Sequence, residues 1–516
     1  MKLRNLALVF CATSVLLAAC SSDDDTVVNA GGSAGKSGAG ASGKGGGAGK
    51  GGGADTAGAA GEAGEAGNGG IAGEGGTSGA GGEGGAAPII ETFTVTLENV
   101  APSKLYTSSG VFNTPVGDLA AGPATPGKTY KFTVDAGRKQ KLFFASMLAA
   151  TNDVFLAPSG AGIALYLDNG SPITADVTSQ VSLWDAGTEL NEEPFTGPNT
   201  VTKQGAANTG PVDTNNKVRP IATATEGVVY PYPPVATLVK VTVTHTTGTL
   251  FDITIDDLST AQLTTSDLVV HPVPLSPGVW AVSSTANALF TEQQPAPAHG
   301  LEALAEDGNT ATLNTYLSAN AGITYPASPG AWLLHTTGTK PLFTSGAPDL
   351  GEGLEAIAED GNAAPLGASL ASLDGYLTGA VFNTPVGTVT PGPILPGSKY
   401  EFTFDASPGD SLSFASMLAA TNDVFIGPKD LGISLFGADN LPLTGDISDQ
   451  ISLWDAGTER NEEPGIGPNT VTNQQAANTG GAGEGKVRLL SAVTTDTYAY
   501  PSAQSVLKVT LSTAAK

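Results

Sequence analysis

The chain is short of several things, and each shortage excludes a class of function. Among its 516 residues there are only two cysteines, Cys11 and Cys20. Both lie within the first twenty positions, so no disulfide, thiolate nucleophile or thiolate metal site is available further along. Charged residues make up 14% of the chain and aromatics 6%, against 69 glycines and 34 prolines. That balance favours turn-rich β-sandwiches over helical bundles. Positive charge is scarcest of all, with 23 Lys and Arg against 49 Asp and Glu and a net charge of −26. Coulomb repulsion then opposes nucleic acid and anionic lipid as partners, while cations remain compatible. The four histidines, His245, His271, His299 and His335, fall outside the long gapless repeat described below. No Ser/His/Asp set is duplicated, and no His-based zinc site is suggested. No apolar run reaches the ~20 residues of a membrane-spanning helix.

The first twenty residues account for both cysteines. Lys2 and Arg4 precede an apolar run from Leu6 to Ala19 that ends in "LAAC", Leu17 to Cys20. This reads as a secretory signal over 1–19 and resembles a bacterial lipoprotein signal, which implies lipidation of Cys20. Ser21 after that cysteine points to an outer-membrane lipoprotein exposed at the cell surface, touching the membrane only through its anchor. Residues 20–90 are mostly Gly, Ala, Ser, Lys and Glu in near-repeats such as "GKGGGAGKGGGAD". They lack core-forming side chains and read as a disordered tether, with a reach of about 45 Å by random-coil scaling.

Beyond the tether, alternation marks strands. Phe93, Val95 and Leu97 form one inward face, as do Tyr130, Phe132 and Val134, and Val239, Val241 and Val243. Turn clusters such as "GPATPG" separate these runs. The fold class expected is all-β: two antiparallel β-sandwiches, with short helices in the middle segment.

A long internal repeat is the dominant feature. "VFNTPVG" at 111–117 recurs at 381–387, "FASMLAATNDVF" at 144–155 recurs at 414–425, and "GPNTVT" at 197–202 recurs at 467–472. The offset is 270 throughout, so two copies of one domain are expected, over 91–247 and 346–516. Between them, 248–345 carries a smaller duplication. "SPGVWAVSSTANALF" resembles "SPGAWLLHTTGTKPLF", and "GLEALAEDGN" at 300–309 resembles "GLEAIAEDGN" at 353–362. Leu301, Leu304 and Ala305 have helical spacing that Asp307-Gly308 would end. This segment is expected to be a leading strand and helix for the second domain.

The most closely kept stretch is "SLWDAGTELNEEP", Ser182 to Pro194, which returns as "SLWDAGTERNEEP", Ser452 to Pro464. Here the Trp is expected in the core, the Gly in a turn, and the acids on that turn. Two loops on neighbouring strands would bring such acids to one rim, and calcium takes six to eight oxygen ligands from arrangements of this kind. "FASMLAATNDVF" followed by "WDAGTE" and "NEEP" resembles the spondin N-terminal (F-spondin) domain, over about 91–245 and about 250–515. The resemblance implies a C2-like sandwich, an extracellular role in adhesion or in recognition of a protein or glycan ligand, and a bound calcium ion (Ca2+). By residue it implies Asp153, Asp185 and Glu189 as metal ligands in the first copy, and Asp423, Asp455 and Glu459 in the second. Animal members carry Asp where Glu189 and Glu459 stand, and cysteines that this chain lacks. Glu192, Glu193, Glu462 and Glu463 are expected on a solvated rim, with metal ligation as their other reading.

Other readings of the same residues remain open. The Asp/Glu set suits a structural turn with capping aspartates. A carbohydrate-active enzyme would need two carboxylates about 5–10 Å apart, which the same acids could supply, though few aromatics accompany them. A calcium-dependent lipid-binding module is a third reading, with little basic charge beyond Lys203 and Arg460 beside the acids. Asp307 and Asp360 read as helix-end residues, with a second cation as the alternative. Trp280, Trp332, Met147 and Met417 read as core.

Overall fold

The computed structural model describes residues 89–494 and 497–514. The signal segment, Cys20 and nearly all of the tether lie outside the described residues. The described chain is all-β with a few short helices, and its sheets are antiparallel. No described helix is long and apolar enough to cross a membrane.

Each copy of the repeat builds three layers. In the first, a four-stranded sheet runs in the order Thr129–Asp135, Leu250–Asp257, Val239–Thr247, Thr174–Asp176. It faces a larger sheet ordered Ser108–Phe112, Leu275–Ser283, Lys141–Leu148, Val154–Pro158, Val181–Asp185, Arg219–Pro220. Phe132, Val241 and Ile253 from one sheet meet Phe144, Leu156 and Val282 from the other in a single core. The helices Leu301–Asp307 and Ala311–Ala319 cover the far side of the larger sheet through Leu301, Leu304, Leu313 and Leu317. A strand covered on both faces cannot alternate. This is why "KLFFASML" reads as a continuous apolar run: Leu142 and Phe144 enter one core while Phe143 and Ala145 enter the other. The second copy repeats the plan, with Leu354–Asp360 as its covering helix.

The partition of the chain between the copies departs from sequence order. Glu91–Asn99 pairs along its length with Lys399–Ala406 on one side and Leu507–Thr513 on the other, so it is an inner strand of the second sandwich. Phe93, Val95 and Leu97 do point inward as the alternation implies, but into the second core. The equivalent slot of the first sandwich is filled by Leu250–Asp257, between Thr129–Asp135 and Val239–Thr247. Likewise Leu275–Ser283 and the helices after it complete the first sandwich, and Ala327–Thr336 opens the second. Residues 248–345 therefore divide between the two sandwiches, whereas sequence order assigns them to the second alone. The first sandwich is a circular rearrangement of the second, inserted after the second one's first strand.

An inserted domain needs two crossings, and here they run side by side. The Lys104 amide donates to Thr324 Oγ1 at 2.8 Å, Leu105 N to Asn320 O at 3.1 Å, and Gly322 N to Tyr106 O at 2.9 Å. The sandwiches also touch further along. Arg138 Nη1 donates to Pro468 O at 3.0 Å, and Gln140 Nε2 donates to Gly465 O at 2.9 Å.

Phe93 is fully buried against Phe404 and Phe436. Phe93→Ala is expected to cost about 3–5 kcal/mol, and the loss falls on the second sandwich. Hydrogen exchange should speed in 399–406 and 507–513 and stay slow in 129–135, and Ile253→Ala should give the reverse pattern. If Phe93→Ala instead loosened 129–135, the strand assignment would be wrong. A pH dependence follows from Asp257, which is buried with Oδ2 unpartnered; burial pushes its carboxyl up to about 8. The folded state then holds a proton that the unfolded chain releases near pH 4. That contribution is complete below pH 4 and is lost as pH rises through 8. Asp257→Asn is expected to flatten denaturant midpoints measured between pH 5 and 9, and an unchanged slope would contradict it.

Candidate functional site

The repeated motif lies at the end of two neighbouring strands. Val154–Pro158 pairs with Val181–Asp185 in a register that sets Val154 opposite Asp185. Asp153 and Asp185 therefore leave the sheet together, and Ala186 N donates to Asp153 O at 3.1 Å. The chain then turns through Gly187 at φ +69°, where a Cβ would stand 2.3 Å from Lys217 O. Only glycine permits both the turn and that approach. Trp184 packs in the core as expected, with Nε1 donating to Ala157 O at 3.1 Å. Trp332, Met147 and Met417 are buried too, and the partly buried Trp280 stacks on Phe132.

Asp153 and Asp185 are both fully buried and their carboxyl groups abut. Asp153 Oδ2 accepts from the amides of Thr188 and Glu189 at 3.3 and 3.2 Å, which winds the loop around it. No donor reaches Asp153 Oδ1. Asp185 Oδ1 accepts from Gly187 N at 2.6 Å, and Oδ2 accepts from Asn191 Nδ2 at 2.7 Å. Burial, and then the charge of Asp185, push the Asp153 carboxyl well above the usual carboxylate range. Asp185 is raised by burial too, less so because Asn191 and Arg219 favour its charge. Tyr232 lies near both, its hydroxyl pushed well up by burial and then by the Asp153 charge.

The second copy repeats this geometry. Asp423 Oδ2 accepts from Glu459 N at 3.1 Å, and Oδ1 again has no donor. Asp455 accepts from Gly457 N at 2.6 Å and from Asn461 Nδ2 at 3.2 Å. Burial and the neighbouring Asp455 push Asp423 well up.

Glu189 and Glu459 do not join these pairs. Glu189 Oε1 accepts from Gly210 N at 2.6 Å, and Glu459 Oε1 accepts from Gly480 N at the same distance. Both face Asn152 or Asn422 on the other side of the loop. Glu192 and Glu462 are half-buried and hydrogen-bonded. Each grips the following loop, Glu192 through Asn199 N and Nδ2 at 2.8 and 2.6 Å, and Glu462 likewise through Asn469. Glu193 accepts from Ser266 N at 2.5 Å. Glu463 lies against Asp135 of the first sandwich, and burial and that neighbour raise its carboxyl.

Two pairs of site residues, one member in each copy, escape a reading of the repeat alone. Arg219 is buried, donates to Asp213 at 2.5 Å and forms ion pairs with Asp185 and Glu226 at 2.7 and 3.1 Å. Arg488, its counterpart, reaches Asp455 and Glu484. The signal was "KVR", present at 217–219 and 486–488. Glu306 and Glu359, on the covering helices, are buried beside Thr188 and Thr458, and burial raises both carboxyls to about 7. Their signal was the "AEDGN" duplication, in which the neighbouring aspartates, Asp307 and Asp360, are tied to Gln204 and Gln474.

For calcium the fit is partial, and it differs from the set the resemblance implies. Among the described residues no three His, Cys, Asp or Glu side chains converge as a metal site. Two carboxylates do converge in each copy, each pair with one unpartnered oxygen. Asn191 Oδ1 and Asn461 Oδ1, buried nearby, also lack partners. That donor set of carboxylates and amide oxygens is what calcium takes, with Asn191 and Asn461 standing in place of Glu189 and Glu459. No protein-family model matches the chain, and no curated protein matches its sequence.

The paired acids give a prediction whose sign depends on calcium. Asp153→Asn replaces the carboxyl whose charge burial and Asp185 most disfavour, so with a chelator present the first sandwich should be as stable or about 1 kcal/mol more stable. With calcium present the parent should overtake the variant. A variant that is less stable than the parent in chelator would show that the Asp153 charge is already compensated.

Proposed function

We propose that the chain is a surface-anchored recognition protein of the spondin N-terminal type, in which calcium fixes one loop cluster in each of two sandwiches and those loops meet an extracellular protein or glycan. The observation that carries this reading is the buried pair itself, Asp153 with Asp185 and Asp423 with Asp455, each with an oxygen that no donor reaches. Around the first pair, Arg219 meets three carboxylates, buried Asp185 and Asp213 and the partly exposed Glu226, while Asp153 lies against Asp185 without a cation of its own. Burying that much negative charge is unfavourable unless a proton or a metal ion joins it. A calcium ion would neutralise the pair and hold the loop that runs from Asp185 to Glu189. Asp153, Asp185 and Asn191 would hold it in the first sandwich, and Asp423, Asp455 and Asn461 in the second. Two modules on one chain would add avidity toward a repeating ligand. Anchorage through Cys20 belongs to the same reading and rests on the "LAAC" sequence.

The test is a calcium titration of residues 88–516, which form one compact unit from Pro88 onward. Extracellular modules bind calcium at about 10⁻⁴–10⁻³ M. At 10 mM calcium such a site would add about 1.4 kcal/mol or more per sandwich, read as a rise in melting temperature. The Asp185→Ala, Asp455→Ala double variant should not respond. Glycan and matrix-protein arrays probed with and without chelator should show calcium-dependent binding. No thermal response would remove calcium from the account, and binding indifferent to chelator would move recognition away from these loops.

A further inference from the structure

The second sandwich contains a hollow at one of its covering helices. It has a volume of about 200 Å³ and lies beside the helix Leu354–Asp360, lined by Asp349, Glu355, Glu359, Asp360 and Asn478 among others. We propose that this hollow receives the basic head group of a lysine or arginine side chain presented by a partner polypeptide. The proposal goes beyond the calcium reading and does not depend on it, because none of these four acids belongs to the buried pairs.

The carboxylates are underused. Asp349 Oδ2 accepts from Gly351 N at 3.0 Å, but Oδ1 is buried and unpartnered. Glu359 is 2% exposed and its Oε1 also has no donor. Asp360 Oδ1 accepts from Gln474 Nε2 at 2.9 Å. Among the described residues, no Lys, Arg or His forms an ion pair with any of the four acids. Buried acceptors without donors are costly, and several carboxylates around one hollow call for positive charge. A bare metal ion fits poorly. Calcium needs ligands at about 2.3–2.6 Å, no three of the described acids converge in that way, and the hollow is several times the ~30 Å³ share of a water molecule. An ammonium offers three donors and a guanidinium five, on a stem that brings apolar methylenes with it. Ala356 supplies an apolar patch of the lining for such a stem.

The first sandwich provides an internal control. At the place of Asp349 it has Ala296, aligned through Gly300 and Gly353. Asn208 Nδ2 there donates to Glu302 Oε1 at 2.9 Å, which occupies the acid equivalent to Glu355. The same helix is thus kept in both copies, while the acid at Asp349 is confined to the second.

The experiment titrates residues 88–516 in chelator with N-acetyl-arginine amide and N-acetyl-lysine amide, by calorimetry and by amide shifts at Gly351 and Gly353. N-acetyl-citrulline amide is the neutral control, and spermidine stands for a free small cation. Saturable binding of either basic derivative at one site per chain is expected, at least tenfold weaker in Asp349→Asn and in Glu355→Gln, with citrulline silent. No saturable binding, equal binding in both variants, or equal binding of citrulline would overturn the proposal. Spermidine binding without either amino-acid derivative would overturn the side-chain assignment. Displacement of the probe by millimolar calcium in the Asp185→Ala, Asp455→Ala variant would assign the hollow to a metal and also overturn it.

Discussion

Two carboxyl groups buried side by side cannot both carry their charge unless something positive lies between or beside them. That constraint recurs at Asp153 with Asp185 and at Asp423 with Asp455, and the surrounding structure is arranged about it. The strand register places the acids together, and the glycine turn brings loop amides onto one oxygen of Asp153 and one of Asp423. An arginine compensates one partner, Asp185 through buried Arg219 and Asp455 through the half-buried Arg488. What remains is one oxygen per pair with no donor. A proton satisfies it at low pH, and a metal ion would satisfy it at neutral pH while stiffening the loop. The two solutions differ in what the loops can do. A shared proton leaves their conformation to the amides alone, whereas an ion ties several donors from the loop to one point.

The sandwiches that carry these loops are joined more intimately than two beads on a chain. Because Glu91–Asn99 lies between Lys399–Ala406 and Leu507–Thr513, the second sandwich is incomplete until segments some three hundred residues apart have met. Such long-range pairing is slow to form and leaves strand edges open meanwhile. The inserted first sandwich has all its strands in one continuous stretch and can close first, which brings the two crossing segments together through Lys104 and Thr324. The N-terminal side of the described chain therefore leads directly into the middle of a sheet, so a load applied there acts on the second sandwich before the first.

Much of this was legible from side-chain pattern. Alternation located the strands and their inward faces, as at Tyr130, Phe132 and Val134. The helix Leu301–Asp307 begins and ends where its leucines and Gly308 imply. Strand partnership was not legible, for a physical reason. Phe93, Val95 and Leu97 have nearly the same shape and spacing as Phe251, Ile253 and Ile255, so either strand suits either slot, and neighbouring segments usually pair. Here the connections decide instead. In the site, the two-loop reading expected Asp153 and Asp185 near one another, and the register of Val154 opposite Asp185 brings them together. It could not show that the Glu189 side chain turns to Gly210, because that depends on rotamer and loop path. Arg219 was hidden because its "KVR" match falls one residue out of step with the main repeat, after the gapless segment ends. Glu306 and Glu359 were hidden by their neighbours, since a helix-ending Asp-Gly draws the eye from the glutamate before it.

The most direct test of the account is a count of bound calcium. Equilibrium dialysis of residues 88–516 against radiolabelled calcium at neutral pH should reach one ion per sandwich. It should fall by one with Asp153→Asn and by the other with Asp423→Asn. Saturation at those values would identify the buried pairs as the seats of the ions and the loops around them as the place to seek ligands. No saturable calcium, or binding that both variants leave unchanged, would contradict the account and make the repeated motif a proton-sharing structural turn.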